Sequence, residues 1–316
     1  MHYMKIVDLF AGIGGLRLGF EVKELDKCVF SSEWDTNSQK TYFTNFNEVP
    51  QGDITKIAPP SIPPHDILLA GFPCQAFSVA GYRKGFEDTR GTLFFDIARI
   101  LDYHRPNSFL LENVKNLARH DKGRTFSKMQ TILEDELGYC VHHQVINTMT
   151  HANIPQNRER IFIVGFNRDK VEKATSFKFP KPITLKTTIR DLIDTDKKPD
   201  KYYYQKTHKY YPKLKKAMTS WDTVYQWRRV YVRENQSNVC PTLTANMGTG
   251  GHNVPIILDD YGIRKLTPRE CARFQGFPDS FKFPKLADSK LYYQIGNSVT
   301  VALIRRIAEN IRKIIN

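Results

Sequence analysis

The sequence predicts an α/β protein, with a mostly parallel sheet covered by helices on both faces and then a smaller, irregular domain. Three observations carry this. From Lys5 to about Phe166, short apolar runs alternate with stretches of helical periodicity, the pattern of repeated strand-helix units. After Phe166 the regularity gives way to a tract rich in Lys, Pro, Asp and Tyr that holds Pro180, Pro182, Pro199 and Pro212, residues that interrupt regular structure. The charge also shifts: Arg168 to Asn238 carries 18 Lys/Arg against 8 Asp/Glu, so +10 of the net +14 sits in 71 of 316 residues.

Each element follows from its local pattern. Strands are expected at Lys5–Phe10, Lys27–Ser32, Ile67–Ala70, Ser108–Glu112, Cys140–Asn147 and Arg160–Phe166. Most are short apolar runs, as strands buried on both faces require. Helices are expected at Leu16–Lys23, Thr36–Phe46, Leu93–Tyr103 and Phe126–Leu137. Val299, Leu303, Ile307, Ile311 and Ile315 recur at near-helical spacing, and this last helix must pack back on the first domain, since its apolar stripe would otherwise stay wet. In such a sheet, ligands bind beyond the carboxyl ends of the strands, so the turns there are where chemistry is sought.

Composition narrows the function. With 41% hydrophobic and 25% charged residues the chain is neither disordered nor fibrous. Its basic excess favours a polyanionic partner. Aromatic residues interleave with that charge (Tyr210, Tyr211, Trp221, Tyr225, Trp227, Tyr231 beside Arg228, Arg229 and Arg233), which suits contact with phosphates, sugars and bases; an ordinary solvated face is the competing reading. Five cysteines form no CxxC pair, so neither a disulfide framework nor a zinc site is supported and no metal is expected. Lys5, Asp8 and Arg17 interrupt the first twenty residues, and no run approaches a membrane span; an intracellular, reduced protein is expected.

The motifs lie where the sheet would place a site. Asp8-Leu9-Phe10-Ala11-Gly12-Ile13-Gly14-Gly15 ends the first strand, and glycines there allow a tight turn and close approach of a ligand. A dinucleotide fingerprint would want glycine where Arg17 stands, so a pyrophosphate cofactor is poorly supported. Glu33-Trp34 ends the second strand: the acid suits ribose hydroxyls, and the indole suits adenine. Asp53 is placed to bond an adenine amino group, and together these favour an adenosyl ligand without phosphates. Pro73-Cys74-Gln75 follows the third strand. A cysteine in such a turn reads as a nucleophile, although a lone cysteine is more often structural. Glu112, in Glu112-Asn113-Val114, is a candidate proton donor whose apolar strand disfavours its charge. Arg158 and Arg160, at i and i+2, point the same way in an extended chain and form a double donor. A strand cap and a surface ion pair are the plain alternatives.

Taken in order with Arg264–Pro278 and Gln294-Ile295-Gly296-Asn297-Ser298-Val299, these segments resemble the motifs of bacterial DNA (cytosine-5)-methyltransferases of type II restriction-modification systems. The match spans almost the whole chain and leaves only the basic segment without motifs. The resemblance implies a Rossmann-like catalytic domain over 1–176, a small domain with the target-recognition region over 177–284, and a C-terminal segment, 285–316, that packs back on the first. It implies S-adenosyl-L-methionine as cofactor, with S-adenosyl-L-homocysteine as product, and double-stranded DNA as substrate. By motif, Cys74 attacks C6 of cytosine, Glu112 bonds N3 and the exocyclic amine, Arg160 holds O2, and Arg158 organises the site. Phe10, Gly12, Gly14, Glu33, Trp34, Asp53, Ile54, Pro73, Leu93 and Asn297 line the cofactor pocket. Ser78 and Arg90, in the loop after Cys74, contact DNA as it closes on a flipped base.

Within the basic segment, Cys240 to Gly251 resembles the Thr-Leu core of the recognition region, assigning Thr242, Leu243 and Asn246 to DNA. Gln226, Arg228, Arg229 and Arg233 suit base edges or phosphates equally. The tract Gln226–Gly251 resembles that of enzymes whose targets begin with CC and end with GG. The resemblance further implies a monomer with no obligatory protein partner, working in the bacterial cytoplasm on nucleoid DNA beside a cognate restriction endonuclease. Three rivals are an RNA methyltransferase of the same fold, which usually has a second proline where Phe72 stands, a DNA-binding regulator with a dead site, and a nicotinamide-dependent oxidoreductase.

Overall fold

The computed structural model describes residues 4–21, 26–73, 93–235, 237–249 and 253–315. Two compact units emerge: one from the described residues of Met1–Ile146, Glu159–Lys181 and Leu303–Asn316, the other from Asn147–Arg158 and Pro182–Ala302. In chain order the strands are β1 (Lys5–Leu9), β2 (Lys27–Ser32), β3 (Ile67–Gly71), β4 (Ser108–Val114), β5 (Tyr139–Asn147), β6 (Gln156–Asn157), β7 (Glu159–Asn167), β8 (Tyr225–Arg228), β9 (Tyr231–Glu234), β10 (Cys240–Pro241), β11 (Ile256–Asp259) and β12 (Gly262–Lys265). The helices are α1 (Gly15–Phe20), α2 (Thr36–Phe46), α3 (Leu93–His104), α4 (Arg124–Thr131), α5 (Thr148–His151), α6 (Tyr211–Ala217), α7 (Pro268–Phe274), α8 (Asp288–Asn297) and α9 (Val301–Ile315).

The first unit is built on a six-stranded sheet in the order β2, β1, β3, β4, β7, β5. β1 runs parallel to β2 and β3, β3 runs parallel to β4, and β7 is antiparallel to β4. The expected mostly parallel α/β architecture is therefore present. Val7, Leu9, Leu68, Ala70, Phe109 and Leu111 share one face and pack on Phe94, Ile97 and Leu101 of α3 and Met129 of α4. Ile6, Ile67, Leu69, Leu110 and Val164 alternate with them and are also fully buried, which explains why these strands read as unbroken apolar runs. β4 and β7 approach closely at Gly165, where a Cβ would meet the Phe109 ring at 2.2 Å. After β1 the chain goes to one side for β2 and to the other for β3 and β4, so the switch in strand order lies between β1 and β3. A crevice outside the carboxyl ends of the strands is expected there.

The apolar stripe of the last helix is buried at Val299, Leu303, Ile307 and Ile311, with Ile315 partly exposed. Arg312 of α9 bonds Asp26 and the Phe20 carbonyl at 2.6 and 2.7 Å, so this part of α9 is tied into the first unit by charge as well as by packing.

The second unit departs from the irregular tract that the sequence predicts. Its centre is a four-stranded sheet in the order β12, β11, β8, β9, antiparallel throughout and packed around Tyr204, Leu214, Met218, Tyr225, Trp227, Ile256 and Ile263. Four-residue strands are too short for alternation to stand out. Helical structure also returns before the final helix, at α7 and α8. A capping box starts α7, with Thr267 and Glu270 each bonding the other's backbone N–H, and Arg264 lies buried between Asp259 and Glu270 at 2.5 and 2.8 Å. The boundaries shift accordingly. Asn147–Arg158 joins the second unit because β6 pairs with β10, and that unit runs to Ala302 rather than 284.

Candidate active site and nucleic-acid interface

The turn after β1 is shaped by left-handed backbone at Phe10, Gly12 and Gly14, with φ of 55°, 55° and 84°. At Gly14 the requirement is steric as well: a Cβ would lie 2.2 Å from the Phe46 ring, which is itself covered by the Arg17 guanidinium at 4.3 Å. The turn is lashed to the end of β2, since Ala11 N–H donates to the Ser32 carbonyl at 2.9 Å and Gly12 N–H donates to Glu33 Oε2 at 2.8 Å. Glu33 Oε1 accepts from Asp35 N–H at 2.7 Å. Burial raises the Glu33 carboxyl above the usual carboxylate range, while these N–H bonds oppose the shift. Beside it the Trp34 side chain is 77% exposed, a large apolar surface left uncovered.

Asp53 caps the turn Ile54–Lys56 by accepting from Thr55 N–H at 3.1 Å. That segment is held from two sides. Glu33 N–H donates to the Gln51 carbonyl at 2.8 Å, and Arg99 of α3 donates to the carbonyls of Ile54 and Ile57 at 2.7 and 2.8 Å. Ile54 is buried, Leu93 starts α3 half-buried, and Pro73 is exposed just past β3. The first unit thus gathers Phe10, Gly12, Gly14, Glu33, Trp34, Asp53, Ile54 and Pro73 on segments around the carboxyl ends of its parallel strands. Asn297 belongs to the second unit, exposed at the end of α8.

Glu112 lies on β4 in register with Gly71 of β3 and Phe162 of β7. Arg160 Nε stands 3.1 Å from Glu112 Oε1. A cation thus stands beside the carboxyl, its charge opposing the desolvation expected from the apolar strand. The next residue, Asn113, is buried and donates from Nδ2 to the Phe72 carbonyl at 2.8 Å. It fixes the chain immediately before Pro73-Cys74, a role that a buried polar side chain at a strand end signals and that sequence reasoning missed. Cys74, Ser78 and Arg90 lie outside the described residues.

Arg158 and Arg160 do not form one double donor. Arg158 is buried in the second unit and donates to the carbonyls of Leu243, Gly296 and Ser298 at 2.7, 3.3 and 2.5 Å. Gln156 completes the clamp: its Oε1 accepts from Leu243 N–H at 3.1 Å, and its Nε2 donates to the Phe274 carbonyl at 2.5 Å. Leu243 is 1% exposed, so its assignment to DNA contact is corrected to internal support. Thr242 donates its hydroxyl to the Asn157 carbonyl at 2.6 Å, whereas Asn246 is exposed.

Arg228, Arg229 and Arg233 are exposed on the β8–β9 hairpin, with Gln226 half-buried. The hairpin tip leaves Val230 71% exposed. A separate depression of about 640 Å³ in the same unit is lined by Asp191, Asp194, Asp196 and Asp279 beside Arg273; it holds none of the predicted residues, and its acidity disfavours a polyanion. Among the described residues, no cluster of three potential metal ligands occurs, and no helix is long and apolar enough to cross a membrane.

Comparison with known proteins establishes the family. The family model described as C-5 cytosine-specific DNA methylase matches residues 4–313. The chain is 53% identical over 314 residues to type II methyltransferase M.Bsp6I of Bacillus sp. (strain RFL6), covering 98% of this chain and 99% of that one. It is 46% identical over 307 residues to type II methyltransferase M.SsoII of Shigella sonnei, covering 97% and 79%. In fold it is similar to the crystal structure of S. pombe Dnmt2 methyltransferase, with a TM-score of 0.72, 16% identity and 99% of each chain covered. The protein is thus a member of the C-5 cytosine-specific DNA methylase family, a DNA cytosine methyltransferase related to the type II enzymes of restriction-modification.

Proposed function

We propose that the protein transfers a methyl group from S-adenosyl-L-methionine to C5 of a cytosine flipped out of a specific duplex DNA sequence, through a covalent Cys74–C6 bond. The observation that carries this is the Glu112–Arg160 pair, 3.1 Å apart, with Glu112 on β4 beside the strand that leads into Pro73-Cys74 and Arg160 on β7, the next strand out. One carboxyl and one guanidinium together match the N3 and N4 edge and the O2 of cytosine.

The residues present fit the cofactor. A buried carboxyl at Glu33 suits a ribose diol, the bare indole of Trp34 suits a purine face, and the left-handed glycine turn admits a ligand against the backbone. When bound, the sulfonium supplies an electrophilic methyl group. C5 of cytosine is a poor nucleophile, so the chain must activate it. The Cys74 thiolate adds its electron pair to C6 while N3 takes a proton at the Glu112 contact, and the ring becomes an enamine. Its C5 carbon takes the methyl group as the donor's methyl–sulfur bond breaks, the electron pair staying on sulfur to leave S-adenosyl-L-homocysteine; a base then removes the C5 proton, N3 returns its proton to Glu112, and the released electrons expel the Cys74 thiolate. Arg160 holds O2 and faces Glu112, keeping the two groups in register. The target is stacked inside the duplex, so rotating it out costs a few kcal/mol before any of this begins.

We further propose that Asn297 binds the cofactor, that Ser78, Arg90, Asn246 and the arginines of the hairpin contact DNA, and that the enzyme acts as a monomer in the bacterial cytoplasm alongside a cognate endonuclease. Incubation with methyl-labelled S-adenosylmethionine and either duplex DNA or tRNA tests the substrate. Label is expected in the cytosine of DNA; label only in tRNA would reverse the reading.

A further inference from the structure

The β8–β9 hairpin offers a face whose chemistry is more selective than its charge. Along β8 the side chains of Tyr225 and Trp227 are buried, while Gln226 and Arg228 occupy the alternate, outward positions. Across the strands Gln226 is in register with Arg233 and Arg228 with Tyr231. Glu234, the one carboxylate of the hairpin, is in register with Tyr225 and so belongs to the other face. The hairpin is braced from behind: Tyr210 stacks on Trp227 at 4.0 Å, and Lys213 Nζ donates to the Val230 carbonyl at 3.2 Å. A reading head needs this kind of rigid support.

Arg233 Nη2 donates to Gln226 Oε1 at 2.5 Å. That bond turns the amide carbonyl toward the guanidinium. The groups left for a partner are the two amide N–H bonds of Gln226, the remaining guanidinium N–H bonds and one lone pair of Oε1, so donors predominate. A lone glutamine reads adenine by accepting from N6 and donating to N7. Here one lone pair of its acceptor is engaged and a cation stands beside it, so the amino groups of adenine and cytosine are poorly matched. Guanine alone among the bases sets two acceptors, N7 and O6, side by side in the major groove.

We propose that Gln226 and Arg233 act as a single guanine-reading unit for the recognition sequence. This rests on the DNA methyl-transfer reading above.

The full-length protein is given S-adenosylmethionine and a pool of duplexes randomised around a central cytosine, and the products are bisulfite-sequenced. Wild type is expected to demand guanine at a fixed offset from the methylated cytosine. Arg233→Ala and Gln226→Ala are each expected to weaken that demand at the same offset, by about 5- to 150-fold. Gln226→Glu keeps the cross-strand contact and replaces amide donors with acceptors, so its preference moves away from guanine. Variants that methylate with the wild-type preference, or that lose rate equally on every sequence, would overturn the guanine assignment and leave DNA methylation standing. A wild type that methylates no duplex would overturn both.

Discussion

Arg160 Nε lies 3.1 Å from Glu112 Oε1, diagonally across the antiparallel pair β4 and β7, with both side chains largely buried. The pair makes catalysis and stability separable. Glu112→Gln keeps the shape of the carboxyl and removes its charge, so kcat is expected to fall by about 10²- to 10⁴-fold while S-adenosylmethionine affinity, read by calorimetry, is unchanged. Arg160→Ala leaves a buried carboxylate without its cation and is expected to cost about 3–5 kcal/mol in chemical denaturation. A Glu112→Gln enzyme with near-normal turnover would contradict the assigned role.

Trp34 tests the cofactor site without touching the core. Its side chain is 77% exposed, so Trp34→Ala is expected to leave the melting temperature within error. Loss of a stacking surface is worth about 1–3 kcal/mol per base, which should weaken S-adenosylmethionine binding by about 5- to 150-fold in titration calorimetry. Unchanged affinity would remove the indole from the pocket.

Gly14 has no room for a side chain. Gly14→Ala must place a methyl group 2.2 Å from the Phe46 ring at a φ of 84°, and the left-handed conformation alone costs about 1–2 kcal/mol. Lower stability and weaker cofactor binding are expected together, since the same turn carries both.

Asp8 gives the protein a pH signature. Burial pushes its carboxyl from 3.8 up to about 8, with the charge of Arg17 opposing and those of Glu21 and Glu33 reinforcing the shift. The folded state therefore holds a proton that the unfolded chain releases. The stability this contributes is fully present below about pH 4 and is lost as pH rises toward about 8. Asp8→Asn lacks this dependence, so the stability of wild type relative to the variant is expected to fall steadily between those values. Parallel curves in denaturant titrations at several pH values would contradict it.

DNA affinity is expected to fall steeply with added salt, because neutralising phosphates releases bound counterions with a log-log slope of about 0.9 per contact. Arg229→Ala, at the exposed hairpin tip, should lower that slope by about one if it touches phosphate. A flat response in wild type would exclude the basic segment as the binding surface.

The large sheet was legible because its central strands are buried on both faces, so apolar runs end within a residue or two of their true limits, as at Ile67–Gly71 and Ser108–Val114. The turns at Gly12 and Glu33 were legible because strand ends concentrate unusual residues. The small sheet was not, because four-residue strands such as Tyr225–Arg228 carry too little pattern. The failure of Arg158 and Arg160 to form a double donor and the burial of Leu243 were not legible, for a different reason. Charge and motif position indicate that a residue matters, but only the folded chain reveals that Arg158 spends its donors on backbone carbonyls.

The covalent step is the centre of the account, and trapping tests it most directly. Duplex DNA carrying 5-fluorocytosine at the methylated position is incubated with protein and S-adenosylmethionine. Fluorine replaces the proton that must leave C5, so a stable protein–DNA adduct should accumulate, with the peptide containing Cys74 bonded to the base by mass spectrometry and no adduct from Cys74→Ser. Methylation of ordinary DNA with no adduct on the fluorinated duplex, or an adduct through another residue, would contradict it.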